Sequence, residues 1–163
     1  MAPAALELAL GDLEPALRRF ALRATRDPEL SKDLTQETLL TVVQAHADFQ
    51  GRSSLRTWAL GILSHKVIDH FRARHLTLDL EGDDEQLLET ASPDDVERTV
   101  SARQELGRVE RALGQLPGRE RLALLLTDVE GLDREAVCHA LDVSPTHLRV
   151  ILHRGRNRLR RLV

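Results

Sequence analysis

The spacing of apolar residues predicts helices in the N-terminal part of the chain. Apolar positions recur every three or four residues, as on one face of a helix. Two such stripes are Leu13, Leu17, Phe20, Ala21 and Ala24, and then Leu34, Thr38, Val42 and Ala45, with Leu39 and Val43 beside the second. A turn follows at residues 49–52, and Ser53 is the predicted N-cap of a third helix. The inward side of that helix is predicted to carry Leu55, Trp58, Ala59 and Ile62.

A second helical pattern begins at Ser92-Pro93, which combine a cap with a proline at the first helical position. The predicted inward residues of its first two helices are Val96, Val100, Leu106, Val109, Leu113, Leu122, Leu125, Leu126 and Val129. A short helix capped by Asp133 and a longer one capped by Ser144 complete the pattern. The last helix is predicted to turn Leu148, Ile151, Leu152, Leu159 and Leu162 inward.

The charges divide the chain between these two patterns. Residues 76–99 hold nine acids and one base, a net charge of −8, so the rest of the chain carries +5 of the total of −3. Turn signals interrupt the same stretch. We therefore predict a helical domain over 10–75, an acidic flexible linker over 76–92 and a second helical domain over 93–163. With three Phe, one Trp and no Tyr, a core of aliphatic residues favours an all-α fold.

Composition also limits the compartment and the chemistry. A single cysteine excludes an internal disulfide and a cysteine-based metal site. Residues 1–10 lack the basic start of a signal peptide, and no apolar run approaches the ~18 residues of a membrane span. A cytoplasmic protein without membrane span is the expectation. The sequence shows no nucleophile with its base and no glycine-rich phosphate loop, so it gives no support for an enzyme.

The last two predicted helices have the pattern of a helix-turn-helix. Residues 144–163 contain six arginines and no acid. A solvated helix usually mixes charges, whereas an all-arginine face suits DNA phosphates. A basic helix without a ligand, or one that binds RNA, remains open at this point. Because the first turns of a recognition helix reach deepest into the major groove, the candidate base readers are Thr146, His147, Arg149, Val150, His153 and Arg154.

These candidates differ in what they can recognise. Arg149 can donate two hydrogen bonds to a guanine, and Val150 can touch only a thymine methyl or a sugar. Arg156 and the arginines after it are predicted to contact phosphates, which position a protein on DNA without specifying a sequence.

Motifs in both blocks resemble one known family in order and spacing. Asp33-Leu34-Thr35-Gln36-Glu37-Thr38-Leu39-Leu40, with residues 49–58 and 68–72, looks like conserved region 2 of the extracytoplasmic-function (ECF) sigma factors of bacterial RNA polymerase. Residues 113–117, 124–126, 128–132 and 152–156 look like conserved region 4. The resemblance covers about residues 13 to 162, with the acidic linker between the two regions.

The resemblance implies an alternative sigma factor that binds core RNA polymerase, directs promoter-specific transcription initiation and is held inactive by an anti-sigma factor. Asp33, Gln36 and Glu37 would dock on the clamp of the largest polymerase subunit, and region 4 would meet the flap of the second. The −10 element would contact Arg52, Ser53, Ser54, Arg56, His65, Lys66 and Arg72. The −35 element would contact Thr146, His147, Arg149, Val150, His153, Arg154 and Arg156. The linker would thread through the polymerase or act as a plain tether. The family implies no cofactor and no metal.

The sequence departs from the family pattern at three places. His65 stands where the family usually has Asn, which makes it a candidate for altered −10 recognition. Val150-Ile151 replace a polar Ser-Arg pair, so the −35 consensus cannot be transferred. Gly155 replaces a better helix former at a cost of roughly 1 kcal/mol.

Two other function classes remain open. A stand-alone helix-turn-helix regulator would bind DNA without polymerase, although residues 33–40 argue against it. A sigma-like protein that only titrates an anti-sigma factor would tolerate the Val150-Ile151 departure. A metal site is disfavoured because His65, His70 and His75 are five residues apart and do not share a helix face. Cys138 and Trp58 are both expected to be packed core residues.

Overall fold

The computed structural model describes residues 3–78 and 102–163, which form helices and turns and no strand. The N-terminal block contains α1 (Pro3–Thr25), α2 (Pro28–Ala45), a 3-10 turn (His46–Asp48) and α3 (Leu55–Leu78). The C-terminal block contains α4 (Ala102–Gly114), α5 (Gly118–Leu124), a π-helical turn (Leu125–Val129), α6 (Arg134–Leu141) and α7 (Pro145–Leu162). The predicted all-α class is confirmed. From residue 79 onward the predicted linker lies outside the described residues, as do Ser92-Pro93, Val96 and Val100.

The N-terminal block packs its three helices through the predicted inward stripes. All five predicted residues of α1 are buried, as are Leu34, Thr38 and Val42 of α2. Arg26, with a φ of 57°, lets the chain reverse between α1 and α2. The carboxylate of Asp27 then caps α2 by accepting a hydrogen bond from the Leu30 amide at 3.0 Å. The arrangement fixes which side of α2 faces outward.

The start of α3 differs from the sequence-based prediction. The N-cap is Ser54 rather than Ser53, because the Ser54 hydroxyl oxygen accepts a hydrogen bond from the Thr57 amide at 3.0 Å. Two adjacent serines offer equivalent capping side chains, and the backbone before them decides which one is used. Gly51, with a φ of 66°, makes the preceding turn in the left-handed region that glycine adopts without strain.

The C-terminal block contains both predicted caps of the helix-turn-helix. The Asp133 carboxylate accepts a hydrogen bond from the Ala136 amide at 2.9 Å, and the Ser144 hydroxyl oxygen accepts one from the His147 amide at 3.1 Å. Between α6 and α7, Asp142 adopts a left-handed conformation with a φ of 53°. This turn directs α7 away from α6.

Three residues of the C-terminal block predicted to face inward are exposed. Leu106 is exposed because α4 packs mainly through its last turns, where Ala112 and Leu113 are buried. Val129 is exposed because the chain switches to π-helical hydrogen bonding, with the Glu130 amide bonded to the Leu125 carbonyl at 2.8 Å. The wider turn rotates Val129 out of the inward register. Leu162 is exposed in the final turn of α7.

Arg121 of α5 is a buried charged residue that no pattern in the sequence indicated. Only 2% of it is exposed. Its guanidinium donates hydrogen bonds to the carbonyls of Leu113, Gly114 and Leu116, where α4 ends, and to that of Ala24 at the end of α1. Burial, reinforced by the nearby charge of Arg26, lowers its pKa to about 10. Arg121 thus satisfies helix-terminal carbonyls that would otherwise be buried without partners.

The two blocks contact each other directly. Helix α1 touches α4, α5 and the π-helical turn, and α3 packs along α6. Most of the buried apolar side chains of both blocks form one contiguous cluster. The described arrangement is therefore closed, with α6 lying against α3.

Candidate nucleic-acid interface

Helix α7 presents all of its candidate base readers to solvent. Its inward side is set by Leu148 and Ile151, which are buried against the rest of the C-terminal block. The six predicted readers lie on the exposed surface of its first three turns, and they are Thr146, His147, Arg149, Val150, His153 and Arg154. The burial of Ile151 also removes that position from any direct role in reading bases.

Gly155 lies where α7 passes closely over α5. A Cβ atom at this position would be 3.3 Å from Glu120 Cβ and from Leu124 Cδ1. These distances are tighter than ordinary van der Waals contact, so a side chain at this position would require Glu120 or Leu124 to shift by a few tenths of an ångström. Gly155 thus lowers the helix propensity of α7, as expected from the sequence, and it also lets α7 pack closely on α5.

Two arginines of α7 are ion-paired with acids of the neighbouring helices. The Arg156 guanidinium donates to both carboxylate oxygens of Asp128, at 2.8 and 3.3 Å. The hydrogen bond that Arg156 donates to Asp128 raises the pKa of Arg156 above its ordinary value. Arg158 lies 3.6 Å from Glu120. The sequence of α7 alone gave no sign of these pairs, because the acids come from α5 and the π-helical turn.

A basic cleft of about 290 Å³ opens beside α7. Its lining residues are Arg134, Leu148, Arg149, Leu152, His153, Arg156, Asn157 and Arg160. Arg134, at the first position of α6, was not among the sequence-predicted site residues. The sequence did offer one indication that Arg134 belongs to the site. Arg134 directly follows the Asp133 cap and therefore begins the first helix of the helix-turn-helix, which crosses the DNA backbone.

The predicted polymerase-docking residues share the outward face of α2. Asp33, Gln36 and Glu37 are all exposed. Gln36 donates a hydrogen bond to Glu14 of α1 at 3.3 Å, and Glu37 lies 3.8 Å from Lys66 of α3. The same face carries two further exposed apolar residues, Leu40 and Val43. Val43, which the apolar spacing placed beside the inward stripe of α2, is instead exposed. Leu40 lies three residues from both Glu37 and Val43, and this spacing was the signal that could have indicated it.

The predicted −10 residues lie on the loop before α3 and along α3. Arg52, Ser53 and Ser54 are exposed in the loop, and Arg56, His65 and Arg72 are exposed on the helix. Lys66 is turned toward Glu37 of α2. Phe49 supports the loop by stacking on Trp58, with ring centroids 4.9 Å apart. Trp58 is thus half-buried against Phe49 rather than fully enclosed.

Two of these residues also touch the C-terminal block. Arg56 donates a hydrogen bond to Glu130, and His65 Nε2 donates one to the His139 carbonyl at 3.1 Å. The structure thus brings the −10 candidates together on α3 and the loop before it, and places α6 beside α3.

Other kinds of site have little support in the part of the chain that the structure describes. Across residues 3–78 and 102–163, no three His, Cys, Asp or Glu side chains converge as metal ligands would. None of the described helices has the length and apolar character to cross a bilayer. Cys138 is a half-buried free thiol, packed against the core as expected.

Comparison with known proteins identifies the family. Residues 10–77 match the family model of sigma-70 region 2, and residues 106–159 match that of sigma-70 region 4. The chain is 30% identical over 150 residues to the RNA polymerase sigma factor CarQ of Myxococcus xanthus, covering 91% of this chain and 83% of CarQ. It is 32% identical over 138 residues to the ECF sigma factor SigF of Caulobacter vibrioides, covering 83% and 72%. The chain belongs to the ECF sigma factors.

Solved structures of other sigma factors have the same fold. RpoE of Bartonella quintana, in complex with the anti-sigma factor NepR, superposes with a TM-score of 0.72 at 23% identity, covering 96% of this sigma factor and 94% of RpoE. CnrH, in complex with the cytosolic domain of CnrY, superposes with a TM-score of 0.67 at 22% identity, covering 99% and 88%. The family match and the fold therefore agree along nearly the whole chain.

Proposed function

We propose that this ECF sigma factor holds core RNA polymerase through α2 and promoter DNA through α3 and α7. Family membership carries the proposal, and the exposed readers of α7 beside a basic cleft support its DNA-binding part. The polymerase performs the chemistry, and the sigma factor supplies binding energy and register. It works in the cytoplasm, where polymerase and promoters are.

Region 4 binds the −35 duplex through α7. Ser144 starts the helix so that Arg149, Val150 and His153 project from its outer face into the major groove. Arg149 recognises guanine, and Val150 favours a thymine methyl. Arg134 and Arg156 at the cleft contact phosphates and fix the depth of α7 in the groove. The Asp128 carboxylate orients the Arg156 side chain for that contact.

Region 2 binds the melted −10 strand. Residues 50–75 carry five bases and one acid, and the arginines at 52, 56 and 72 are exposed. A positively charged surface of this kind follows the backbone of single-stranded DNA. His65 contributes to recognition in place of the usual Asn.

The outward face of α2 binds the polymerase clamp. Asp33, Gln36 and Glu37 supply polar contacts, and Leu40 and Val43 supply the apolar centre that such interfaces require. Region 4 meets the flap of the second large subunit, and the acidic segment 76–92 passes between the two sites. An anti-sigma factor controls the protein, as the complexes of RpoE with NepR and of CnrH with CnrY suggest.

Reconstitution with core polymerase tests this proposal. Promoters selected by sequencing transcripts from the holoenzyme should give run-off products that depend on the sigma factor. Asp33→Arg should abolish these products by placing a cation on the docking face, whereas Lys32→Arg, an exposed neighbour without charge change, should not. Sequence-specific duplex binding at full strength without core would instead favour a stand-alone regulator. Tight binding to an anti-sigma factor without any initiation would favour a titrating protein.

A further inference from the structure

Three polar side chains of α7 are joined into one hydrogen-bonded chain. Asn157 Nδ2 lies 3.0 Å from His153 Nε2, and Arg160 Nη1 lies 3.4 Å from Asn157 Oδ1. Because the three residues are spaced at intervals of four and three along the sequence, they follow one face of the helix. All three line the basic cleft beside α7, as Arg149 does. The chain of His153, Asn157 and Arg160 is called the α7 relay below.

The donors and acceptors of the α7 relay can be assigned from Arg160. A guanidinium has N–H donors and no acceptor, so the carbonyl oxygen of the Asn157 side chain must face Arg160. The NH₂ group of Asn157 then faces His153 and donates to Nε2, which must offer a lone pair. A neutral imidazole carries its one N–H hydrogen on the other ring nitrogen. The α7 relay therefore places the hydrogen of His153 on Nδ1.

The Nδ1–H group of His153 is directed to no partner within the described part of the chain. His153 is exposed, and among residues 3–78 and 102–163 its hydrogen bond is the one made through Nε2 to Asn157. Arg149, which is proposed to recognise guanine, lies one turn earlier on the same face. His153 thus offers DNA one N–H donor beside the guanidinium of Arg149.

The four bases differ in how they can meet such a donor. In the major groove guanine offers N7 and O6 as acceptors, adenine offers N7 and thymine offers O4, whereas cytosine offers only its N4 amino donor. Cytosine opposite Nδ1–H would leave two donors facing each other, and unpaired donors in an interface weaken binding. An imidazole with its hydrogen on Nε2 would instead present Nδ1 as an acceptor, which suits the cytosine amino group. The position of one hydrogen therefore determines which base is disfavoured.

We propose that Asn157, held by Arg160, is a positioning residue that makes His153 a hydrogen-bond donor, and that His153 thereby disfavours cytosine at one position of the −35 element. The inference rests on the proposed binding of that element by α7. It gives a role to Asn157, which was not among the sequence-predicted site residues. Arg160 has further N–H groups that can contact a phosphate while one remains on Asn157, so the phosphate contact and the base contact are compatible.

Nuclear magnetic resonance of the imidazole nitrogens tests the α7 relay on the full chain without DNA. In isotopically labelled protein, at a pH where imidazoles are neutral, long-range proton–nitrogen correlations show which ring nitrogen carries the hydrogen. His153→Asn identifies the His153 signals by their loss. Exposed imidazoles in water favour the Nε2–H form, whereas His153 should show the Nδ1–H form. Asn157→Asp offers only acceptors and should move the hydrogen to Nε2, and Asn157→Leu should restore the ordinary preference.

Promoter binding by the holoenzyme tests the specificity. Fluorescence anisotropy is measured with every single-base variant of the −35 element, and His153→Ala identifies the position that His153 reads. There the wild-type holoenzyme should bind about fivefold more weakly to the base pair that turns cytosine toward His153. Asn157→Leu should reduce this difference to within about twofold. In the His153→Ala background, Asn157→Leu should change the base preference no further, because Asn157 acts through His153.

Two neighbouring arginines provide a matched control for charge. Arg160 and Arg161 are both exposed near the end of α7, so Arg160→Ala and Arg161→Ala remove the same charge, and both should weaken binding to all promoter variants. Only Arg160→Ala should also shift the His153 hydrogen toward Nε2 and lower the discrimination against cytosine. Circular dichroism should show equal helix content in the two variants. Equal losses of discrimination would overturn the role of the α7 relay.

The outcomes distinguish this inference from the proposed function. An Nε2–H form of His153 in the free wild-type protein, or unchanged base preferences in His153→Ala, would overturn the inference while run-off transcription still supports the sigma factor assignment. Failure of the wild-type holoenzyme to initiate at any selected promoter would overturn the proposed function and the base-reading role of His153 with it. The resonance measurement on the free protein would still decide whether Asn157 sets the tautomer.

Discussion

Helices α2 and α7 have similar construction and opposite surfaces. Each has 18 residues, a side-chain N-cap and a proline at its start. Each buries aliphatic residues on its inner side, such as Leu34 on α2 and Leu148 on α7. The outer side of α2 is acidic and apolar, whereas that of α7 is rich in arginine and histidine. The inner pattern of each helix accounts for its packing, and under the proposed function the outer pattern of each determines whether its partner is a protein or a nucleic acid.

The largest expected effect is on the free energy of unfolding, and it comes from the buried faces that α2 and α7 have in common. Leu34→Ala and Leu148→Ala should each lower the free energy of unfolding by about 3 kcal/mol, since both remove a well-packed side chain and leave a cavity. Urea denaturation followed by circular dichroism measures this loss. Leu40→Ala on the exposed side of α2 is the control and should change stability by less than about 0.5 kcal/mol. Equal losses at Leu40 and Leu34 would contradict the assignment of the two faces.

The alternation of buried and exposed positions along the helices was predictable from the sequence. The exceptions depend on features that apolar spacing does not encode. The stripe from Leu13 to Ala24 and the caps Asp133 and Ser144 follow from local rules of helix spacing and capping. The exposure of Val129 depends on a π-helical turn, which apolar spacing does not encode. The burial of Arg121 depends on the ends of α1 and α4 meeting at α5. Such meetings of distant segments leave no periodic trace in the sequence.

The candidate site was predictable to the same degree. Its helices and exposed residues followed from local pattern together with the family resemblance. The Arg156 pair with Asp128 was not predictable, because its two members are 28 residues apart. The contact of His65 with His139 likewise depends on how the two blocks pack. Candidate residues on one helix are therefore predictable from the sequence, whereas contacts between helices are not.

The next largest expected effect is on partner binding, and it comes from the exposed faces in which α2 and α7 differ. Leu40→Asp should weaken core polymerase binding by about 2 kcal/mol, since it would place a charge in the apolar centre of the proposed interface. Arg149→Ala should leave core binding intact and weaken promoter binding by about 1–3 kcal/mol at a single base position. Fluorescence anisotropy with core, and with promoter fragments bound to holoenzyme, measures the two separately. A loss of both activities in either variant would mean that the two surfaces are not independent.

The smallest effect concerns the far end of α7. Arg161 is exposed and lies beyond the turns proposed to read bases, so Arg161→Ala should weaken holoenzyme binding to all promoter sequences alike. Loss of one phosphate contact should also reduce the slope of log affinity against log salt concentration by about 0.9. Lys32→Ala removes an exposed cation from α2 and should leave that slope unchanged. A salt titration of promoter binding compares the two variants. If both lowered the slope equally, DNA attraction would reflect the net charge of the molecule, and the distinction between the outer faces of α2 and α7 would lose its electrostatic basis.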